Sequence, residues 1–559
     1  MYKSRNIYRE FNDEKLAEIR NHPYYAGARA ELISKADAML ESEPPRIRFS
    51  KMHLYVTTGD RATYETDYFA YFERLKTLYL AYVITEDEKY LPELADTIWN
   101  ICDFETWARP AHVNETASIK ARKRHLALCS TGACANLAEV LYFVEDKLPE
   151  LVVRRAKAEI QYRVIDSFAE KKPPFCFVKH NWAAVCIADV LCTYLYIATD
   201  EEIEAQLPAM MSTADNYLSG FADDACCSEG VGYWGFGFSH FLVFASMLKD
   251  YTDGKINYFE NPKVKKIAMF PYRVRLNEND AVAFSDSGSG IGYKVGRTVA
   301  HILKANYPDY PILDNDPMTS APGDSRALFW SNPDYTCEKV ALQNQIFENV
   351  QWFIHHGKSY AVGAKAGHND EFHNHNDVGS FAVSTGELVS FFDVGGGVYD
   401  RQYFDKETRY LNPICSSRGH SVPIINGEEQ KEGNRGVCDI LELKEGRFTF
   451  DMRSAYVVDT LESLVRDFDC SDEYFTLTDT YRFSAEPSAL TERFISRLPL
   501  TLEDGVIKSG KTTLVFDSEA LDVNISTLDV VGRGINVIYY VDFTPKSLKT
   551  DMSFTFKFI

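Results

Sequence analysis

The sequence predicts a multidomain protein of the α+β class, with a helical domain over residues 1-345 followed by an antiparallel β-sandwich over residues 346-559. Apolar residues recur at three-and-four spacing up to about residue 275, as in "ANLAEVLYFVEDKL", which indicates amphipathic helices. After residue 345 the period changes to two, as in "FTFDMRSAYVV" and "YFTLTDTYRF", which indicates strands. A chain of 559 residues is also too long for one ordinary core.

The helical part reads as a series of helical hairpins. Acidic or Pro/Gly-containing connectors separate roughly ten helical segments, with no strand-like alternation between them. The segment from about residue 276 to 345 is less regular, and "FSDSGSGIG" and "TSAPGDS" read as loops that close the helical domain. The later strands follow one another without helices, which is typical of an antiparallel sandwich.

Composition and charge exclude some classes of partner. A net charge of -21 argues against general affinity for nucleic acid or for an anionic membrane surface. We find no apolar N-terminal segment and expect no stretch near the uncharged ~18 residues of a membrane span. The twelve cysteines show no CxxC spacing, and Cys226 and Cys227 are adjacent, so we expect free thiols in a reducing cytoplasm. Removal of a signal sequence would instead indicate a periplasmic or secreted protein.

A histidine-rich stretch, "EFHNHNDVGSFAV" at residues 371 to 383, is the most specific chemical feature of the sequence. His373 and His375 share one face of an extended strand. Asp393 ends the next strand and falls on the same face as His375 if the hairpin loop has three residues, but on the opposite face if it has two. His420 precedes a later apolar strand. Two imidazoles and a carboxylate match the ligands of zinc.

Each part of this pattern also has a structural interpretation. Two histidines at the start of a strand are often part of a polar turn. The side chains of "HNHND" can also form hydrogen bonds with the N–H and C=O groups of their own backbone. Donors that are far apart in sequence need independent support before they count as a metal site.

Longer motifs supply that support. The run "HNHNDVGSFAVSTGELVSFFDVGGGVYD", followed by "SSRGHSVPIINGEEQ", resembles the heparinase II/III-like polysaccharide lyases. In the helical half, "TWARPAH", "KHNWAAV" and "SEGVGYWGFG" stand in the order that this family uses. The resemblance covers most of the chain and implies an incomplete α/α toroid joined to an antiparallel β-sandwich.

The resemblance also implies three catalytic residues. Asn181 matches the position of the residue that neutralises the substrate carboxylate, and its alternative role is an N-cap. Tyr233 matches the tyrosine that transfers the proton, as a phenol whose pKa nearby groups lower, although most tyrosines in proteins are structural. His373 is the catalytic candidate from the sandwich. The substrate-binding candidates are His112, His180, Trp182, Trp234 and Arg418, with core packing as the alternative for both tryptophans.

The metal implied by the resemblance is structural. His375, Asp393 and His420 would hold zinc, with a water or a fourth group, and so fix the loop that carries His373. Ser421 stands where relatives often have asparagine after the histidine, which affects a neighbouring contact more than a ligand. No organic cofactor is expected.

The function implied is β-elimination on uronic-acid-containing oligosaccharides or polysaccharides. One alternative is a glycoside hydrolase on the same scaffold, which needs paired carboxylates. Another is a carbohydrate-binding or sensory protein without catalysis. The sequence leaves open which uronate glycan is used, among heparan, chondroitin, hyaluronan and alginate, whether cleavage is endo or exo, the identity of the metal, and whether the protein is a homo-oligomer.

Overall fold

The computed structural model describes residues 12–321, 323–433 and 437–559, which form two compact units. The helical unit runs to Gly220 and resumes over Gly235–Lys265 and Val295–Lys339. The sandwich unit comprises Phe221–Trp234, Lys266–Lys294 and Val340–Ile559.

The change of periodicity lies where it was predicted, but the units do not divide at one point. The first strand begins at Gln345, close to the predicted boundary. Two earlier segments, Phe221–Trp234 and Lys266–Lys294, nevertheless belong to the same unit as the strands. The rings of Phe284 and Trp352, for example, lie 4.9 Å apart in an edge-on contact. A boundary at residue 345 therefore assigns residues 221–234 and 266–294 to the wrong unit.

Helices account for most of the chain before residue 330. In the described residues they are α1 (Asp13–Asn21), α2 (Ala26–Leu40), α3 (Phe49–Met52), α4 (Leu54–Thr57), α5 (Ala62–Thr85), α6 (Leu91–Asp103), α7 (Ile119–Lys123), α8 (Leu128–Val144), α9 (Glu150–Ile160), α10 (Asp166–Glu170), α11 (Asn181–Ile197), α12 (Asp200–Ser219), α13 (Gly230–Tyr251), α14 (Pro262–Ala268), α15 (Phe270–Arg273), α16 (Arg297–Asn306) and α17 (Arg326–Phe329). A last short helix, α18 (Arg401–Phe404), lies among the strands.

The centre of the helical unit is α11, which packs against α8 and α12. Nearly all of its residues are buried. A helix that is apolar on every side belongs inside a core rather than at its surface. The sequence "NWAAVCIADVLCTYLYI" therefore determines both the helix and its central position.

One helix passes a test for membrane spans by length and composition. Gly230–Tyr251 has a mean hydropathy of 1.3 over its most apolar window, and 67% of that window is buried inside the protein. The expectation that no stretch comes near this length was wrong. Core helices pass the same test, so the absence of a membrane span stays a prediction.

Two antiparallel sheets form the sandwich within the described residues. Their strands are β1 (Gln345–Phe347), β2 (Trp352–His356), β3 (Tyr360–Lys365), β4 (Phe381–Thr385), β5 (Leu388–Phe391), β6 (Ile424–Ile425), β7 (Asp439–Lys444), β8 (Arg447–Asp451), β9 (Leu461–Cys470), β10 (Phe475–Phe483), β11 (Leu490–Ser496), β12 (Leu500–Glu503), β13 (Val506–Ser509), β14 (Thr512–Val515), β15 (Leu521–Asp529), β16 (Val537–Pro545) and β17 (Asp551–Phe558). One sheet has the order β1-β2-β3-β4-β5-β11-β16-β15, with β6 paired to β11, and the other has the order β12-β13-β14-β17-β10-β9-β8-β7.

The core of the sandwich lies between these sheets. Phe381 of β4 contacts Phe468 of β9 with ring centroids 5.7 Å apart, and Phe494 of β11 contacts Phe556 of β17 at 4.8 Å. In β17 buried and exposed residues alternate, which is the period-two pattern seen in the sequence. The predicted fold class, helices followed by an antiparallel sandwich, is confirmed.

Candidate active site and metal centre

Asp286 is the centre of a cluster of polar side chains in the sandwich unit. Its side chain is fully buried and accepts hydrogen bonds from His373 Nδ1 at 2.8 Å and from His375 Nε2 at 2.9 Å. The hydroxyl of Tyr399 donates at 3.1 Å, and Tyr403 donates through a shorter bond. Burial alone would raise the pKa of Asp286, but these histidines hold it well below its usual range. The carboxylate is therefore ionised and tied to its donors.

Glycines allow other segments to approach the Asp286 loop. A Cβ atom on Gly395 would lie 1.8 Å from the carbonyl oxygen of Gly288, and Gly395 has a φ of +67°. A Cβ atom on Gly232 would lie 2.4 Å from the carbonyl oxygen of Ser287. The "DVGGG" and "SEGVG" stretches are thus glycine-rich because their backbones pack directly against this loop.

His373 has an uncommon backbone conformation, with a φ of +58°. Residues other than glycine adopt this left-handed region rarely, and such strain concentrates at functional sites. The ring stacks on Tyr233, with centroids 4.0 Å apart and planes 23° apart. Because the Asp286 carboxylate can only accept, Nδ1 of a neutral His373 carries the proton and Nε2 has the free electron pair. Nε2 lies 3.8 Å from a carboxylate oxygen of Glu229.

Two tyrosines share a hydrogen bond beside this histidine. The hydroxyl oxygens of Tyr233 and Tyr399 are 2.5 Å apart, and the guanidinium of Arg533 lies 4.0 Å from the Tyr399 ring centroid. Burial raises the pKa of both phenols above the usual value, and Asp286 raises them further. The expectation that nearby groups lower the pKa of Tyr233 is therefore not met in this environment. A protonated Tyr233 is suited to donating a proton.

A second cluster contains the three predicted metal ligands. His375, Asp393 and His420 are joined by Asp377, and one donor atom from each lies within 4.8 Å of the others. All four side chains are completely buried. Asp377 was not predicted as a ligand. It is two residues beyond His375 in the same "HNHND" stretch, and this spacing places both residues on one face of an extended segment.

Hydrogen bonding around this cluster leaves some of its polar atoms without a partner. Within the described part of the chain, His375 Nδ1 and Asp377 Oδ2 are buried without a hydrogen-bond partner. His420 Nε2 bonds to the carbonyl oxygen of Ile414 at 2.8 Å, so in the neutral ring this nitrogen carries the proton and Nδ1 has the electron pair. That Nδ1 lies 3.1 Å from Asp393 Oδ2.

These orphaned atoms fit a bound cation. An unprotonated nitrogen beside a carboxylate oxygen is unfavourable unless a proton or a metal ion lies between them. Burial raises the pKa of Asp393, but His420 and His375 together lower it. Burial lowers the pKa of His375, and hydrogen bonds to Asp286 and Cys415 raise it to about 10 overall. A metal ion at Nδ1 would replace that proton. Two nitrogens and two oxygens form a donor set that zinc accepts.

The register of one hairpin explains how Asp393 reaches this cluster. Thr385 pairs with Leu388, so of the two loop lengths considered from the sequence the hairpin has the two-residue loop. A two-residue loop alone would turn Asp393 to the opposite face. The register shifts between Val383 and Ser384, because Val383 pairs with Phe391 and leaves one extra residue on β5. This β-bulge restores the face, and Asp393 accepts a bond from Ser380 at 3.2 Å.

Buried Arg466 fixes the two loops that carry the ligands. Its Nη1 donates to the carbonyl oxygens of Gly379 at 2.7 Å and Ser421 at 2.9 Å, while Nε donates to Asp479 at 2.8 Å. Ser421 accepts a bond from the backbone N–H of Ile495 at 3.0 Å. The serine that departs from the family pattern thus anchors the chain directly after His420.

The helical unit carries the other predicted residues. Asn181 is buried at the first turn of α11. The N-cap of this helix is His180, whose ring accepts from the N–H of Trp182 at 3.4 Å, so Asn181 is not the cap. The half-buried Trp182 lies 4.9 Å from the ring of His112. Burial, with help from Arg109, lowers the pKa of His112 to about 3. These residues form one group in the helical unit.

Two predicted substrate-binding residues have structural partners. Trp234 is 1% exposed, and its indole N–H donates to the carbonyl oxygen of Ile267 at 2.8 Å. Its predicted role as a sugar platform is therefore wrong, and core packing explains it. Arg418 forms an ion pair with Glu429 at 2.8 Å. Its role in substrate binding stays a prediction, as do the roles of His112, His180 and Trp182.

Sequence reasoning missed Asp286, Tyr399 and Arg533. Asp286 lies in "FSDSGSGIG", which was read only as a loop, although a carboxylate in a glycine-rich loop is a weak signal for a site. Tyr399 follows "DVGGG" closely, and Arg533 lies in the loop between β15 and β16. Nothing in the local sequence connects these three residues, because only folding brings them together.

Comparison with solved structures supports the fold. Heparinase III matches with a TM-score of 0.66 and 14% identity, over 98% of this chain and 91% of that chain. Heparan sulfate lyase from Pedobacter heparinus matches with a TM-score of 0.60 and 13% identity, over 100% and 92%. Chondroitin AC lyase from Streptomyces coelicolor A3 matches with a TM-score of 0.59 and 10% identity, over 100% and 82%.

No protein-family model and no curated protein sequence matches the chain. At such low identity the structural likeness establishes the fold and nothing finer. The resemblance drawn from the sequence motifs is confirmed at that level: the chain has the helical toroid and antiparallel β-sandwich found in heparinase III.

Proposed function

We propose that this protein is a polysaccharide lyase that cleaves uronic-acid-containing glycans by β-elimination. In this reaction the C5–H bond of the uronate breaks, a C4=C5 double bond forms, and the C4–O4 bond breaks with protonation of the leaving oxygen. The observation that supports this most strongly is the stacked His373 and Tyr233 pair, with Asp286 behind it. The pair supplies a base and an acid side by side.

His373 is the proposed base. Its bond to Asp286 fixes the tautomer with the free electron pair on Nε2, the nitrogen that does not face the buried carboxylate. The left-handed backbone and the stacked Tyr233 ring hold the imidazole in one orientation. A base held in this way loses little entropy when it reacts.

Tyr233 is the proposed acid. Its raised pKa keeps the phenol protonated, and Tyr399 can replace the proton through the 2.5 Å hydrogen bond. The acid gives its proton to the leaving O4 as the C4–O4 bond breaks. His373 then returns the abstracted proton to the tyrosine pair, directly or through water, which restores both groups without any other reactant.

The carboxylate of the substrate needs a donor, because negative charge grows there as C5 loses its proton. In the sandwich unit the exposed Arg533 lies beside the tyrosine pair and offers a cation for this purpose. The family resemblance assigns the same role to Asn181, whose amide can donate without bringing a charge. We propose both residues as contributors to carboxylate stabilisation.

Zinc is the proposed ion for the buried cluster, held by His375, Asp377, Asp393 and His420. A bound ion would offset the charge of Asp393 and fix the segment that carries His373, while Lys365 already pairs with Asp377 Oδ1 at 2.6 Å. The chemistry that it supplies is structural, since all four ligands are fully buried. No step of the elimination involves it.

Asp286 argues against a glycoside hydrolase. A hydrolase needs two carboxyl groups that face the scissile bond, one of which is protonated. Asp286 is ionised, buried and occupied by its donors, so it cannot serve as either group. Glu229 lies 3.8 Å from His373 Nε2, and one carboxyl group does not form the required pair.

The test is a panel of uronate oligosaccharides from heparan, chondroitin, hyaluronan and alginate, assayed for the ultraviolet absorbance of an unsaturated uronate. We expect absorbance with at least one member, and none from a Tyr233→Phe variant prepared in the same way. A protein that produces no absorbance with any member but hydrolyses a neutral glycan would overturn the proposal. Binding of uronates without cleavage would favour a carbohydrate-binding role instead.

A further inference from the structure

The helical unit contains a cavity of about 660 Å³ that none of the predicted site residues lines. Its walls come from the segment before α3, from α5 and from residues 100–122. Pockets that hold small ligands in proteins usually measure about 300–1,000 Å³. This cavity is therefore large enough for one or two sugar rings.

Aromatic and aliphatic side chains form much of the wall. Phe49 is 66% exposed and Ile119 is 61% exposed, although both line the cavity. The Phe49 ring stacks on His53, with centroids 5.2 Å apart and planes 20° apart. Tyr64 and Tyr71 add two further rings. Sugars pack their C–H faces on such rings, and exposed apolar groups at a pocket indicate a ligand.

The side chains around this cavity carry an excess of positive charge, which favours an anionic ligand. Two of the acidic groups that line it pair with arginine, Asp103 with Arg155 and Glu105 with Arg122, and the third, Glu115, forms a hydrogen bond with His53 Nδ1 at 2.7 Å. Arg46 and Arg48 also line the cavity and are exposed. Among residues 12–321, 323–433 and 437–559, neither arginine has an ion-pair or hydrogen-bond partner. Two unpaired guanidinium groups in a chain with a net charge of -21 favour an anionic ligand.

One wall of the cavity belongs to a loop with a second role. Glu105, Thr106 and Glu115 line the cavity, and His112 on the same loop contacts Trp182. The loop therefore connects this cavity to the group in the helical unit that the sequence analysis assigned to carbohydrate.

We propose that this cavity is a second carbohydrate site, which binds an anionic sugar through Arg46 and Arg48 and through the exposed side chains of Phe49 and Ile119. The rings of Tyr64 and Tyr71, 2% and 6% exposed, form the floor of the cavity beneath them. The choice of a sugar over another organic anion rests on the proposed function. It also rests on the half-buried Asn100, whose amide offers a donor and an acceptor for sugar hydroxyls at the wall. A carboxylate and a sulfate ester are both suitable anions for a guanidinium.

The experiment is hydrogen–deuterium exchange with uronate hexasaccharides, carried out on full-length Tyr233→Phe protein so that the ligand is not cleaved. Three ligands are compared: an unsulfated hexasaccharide, its O-sulfated counterpart, and a carboxyl-reduced neutral form. The cavity variant is Arg46→Ala/Arg48→Ala. The matched control is Arg154→Ala/Lys171→Ala, which removes two other exposed positive charges of the helical unit that have no ion-pair partner in the described residues.

We expect an anionic hexasaccharide to protect residues 46–52 and 115–122, and the neutral form to protect neither. Isothermal titration calorimetry of the cavity variant should show the affinity of this site reduced roughly tenfold or more, with protection of residues 371–376 unchanged. The control should behave like the parent. Protection by the sulfated ligand alone would identify the sulfate as the group bound, and equal protection by both would identify the carboxylate.

Absence of protection at residues 46–52 and 115–122 in the parent would overturn the inference, even if the wild-type protein cleaves uronates. Equal protection in the cavity variant, or by the neutral ligand, would also overturn it. Protection at the cavity with no cleavage of any uronate would contradict the proposed lyase function while leaving this site in place. The two proposals can therefore fail separately.

Discussion

The Nδ1 atom of His373 lies 2.8 Å from the Oδ2 atom of Asp286, which is buried completely. The two residues are far apart in sequence, and only the fold makes them partners. Asp286 also accepts from His375, one of the proposed metal ligands. One carboxylate therefore orients both the proposed base and the nearest ligand of the metal centre.

Replacing Asp286 tests this relationship. In Asp286→Asn the amide can donate to Nδ1, which favours the tautomer with its proton on Nε2 and removes the base. In a serine protease, the equivalent change lowers kcat by about 10⁴-fold. We expect a loss on the order of 10²–10⁴ in kcat with little change in KM. Thermal unfolding and metal content serve as controls, and a variant that folds, keeps its metal and turns over normally would contradict the assignment.

Tyr233→Phe keeps the ring that stacks on His373 and removes only the hydroxyl. We expect turnover to fall at least ~100-fold, because general acid–base groups contribute about 10²–10⁴ in rate. Binding of oligosaccharide should remain almost intact. The measurements are single-turnover rates and dissociation constants. Nearly normal turnover would reject Tyr233 as the proton carrier and direct attention to Tyr399 or Tyr403.

Asn181→Ala tests the stabilisation of charge on the carboxylate. Loss of one preorganised donor to an oxyanion costs about 10²–10³ in rate. We expect a decrease of this order in single-turnover rate. If Asn181 and Tyr233 act on one transition state, the double variant should fall well short of the summed losses. Fully additive losses would indicate that the two residues act in separate steps.

We expect one zinc ion per chain, bound at the buried cluster, in protein that has never been exposed to a chelator. Asp377→Asn and Asp393→Asn should each lower the affinity for zinc, because each removes an anionic ligand. Asp377→Asn also breaks the buried ion pair with Lys365, so zinc content and not the melting temperature decides its role. Asp370→Asn changes an exposed acid in the same segment and is the matched control. Elemental analysis and thermal unfolding are the measurements. Full zinc content in Asp377→Asn would remove this residue from the ligand set.

Arg533→Ala is expected to raise KM for uronates and to lower kcat, because its cation lies beside the tyrosine pair. The effect should be absent for Arg482→Ala, which changes an exposed arginine paired with Glu462 in the same unit. Steady-state kinetics with an unsulfated uronate oligosaccharide separates the two parameters. Unchanged KM and kcat in Arg533→Ala would leave Asn181 as the sole proposed carboxylate donor.

The periodicity of the chain determined the fold class, because helices and strands expose their faces at different intervals along the sequence. It placed the change from helix to strand near Gln345, where β1 begins. Motif spacing also identified His375, Asp393 and His420, which the structure brings into one cluster. These features are readable because each depends on local pattern or on a motif that a family shares.

Tertiary structure decided the rest. Asp286 became the centre of the site through packing of glycine-rich segments, and no local pattern records such an approach. The face of Asp393 depended on a β-bulge that compensates for a two-residue loop, and a single extra residue cannot be read from alternation alone. Trp234 lies in the core because Ile267 offers its carbonyl there. Contacts between residues distant in sequence depend on the packing of the whole chain, so only the folded structure determines them.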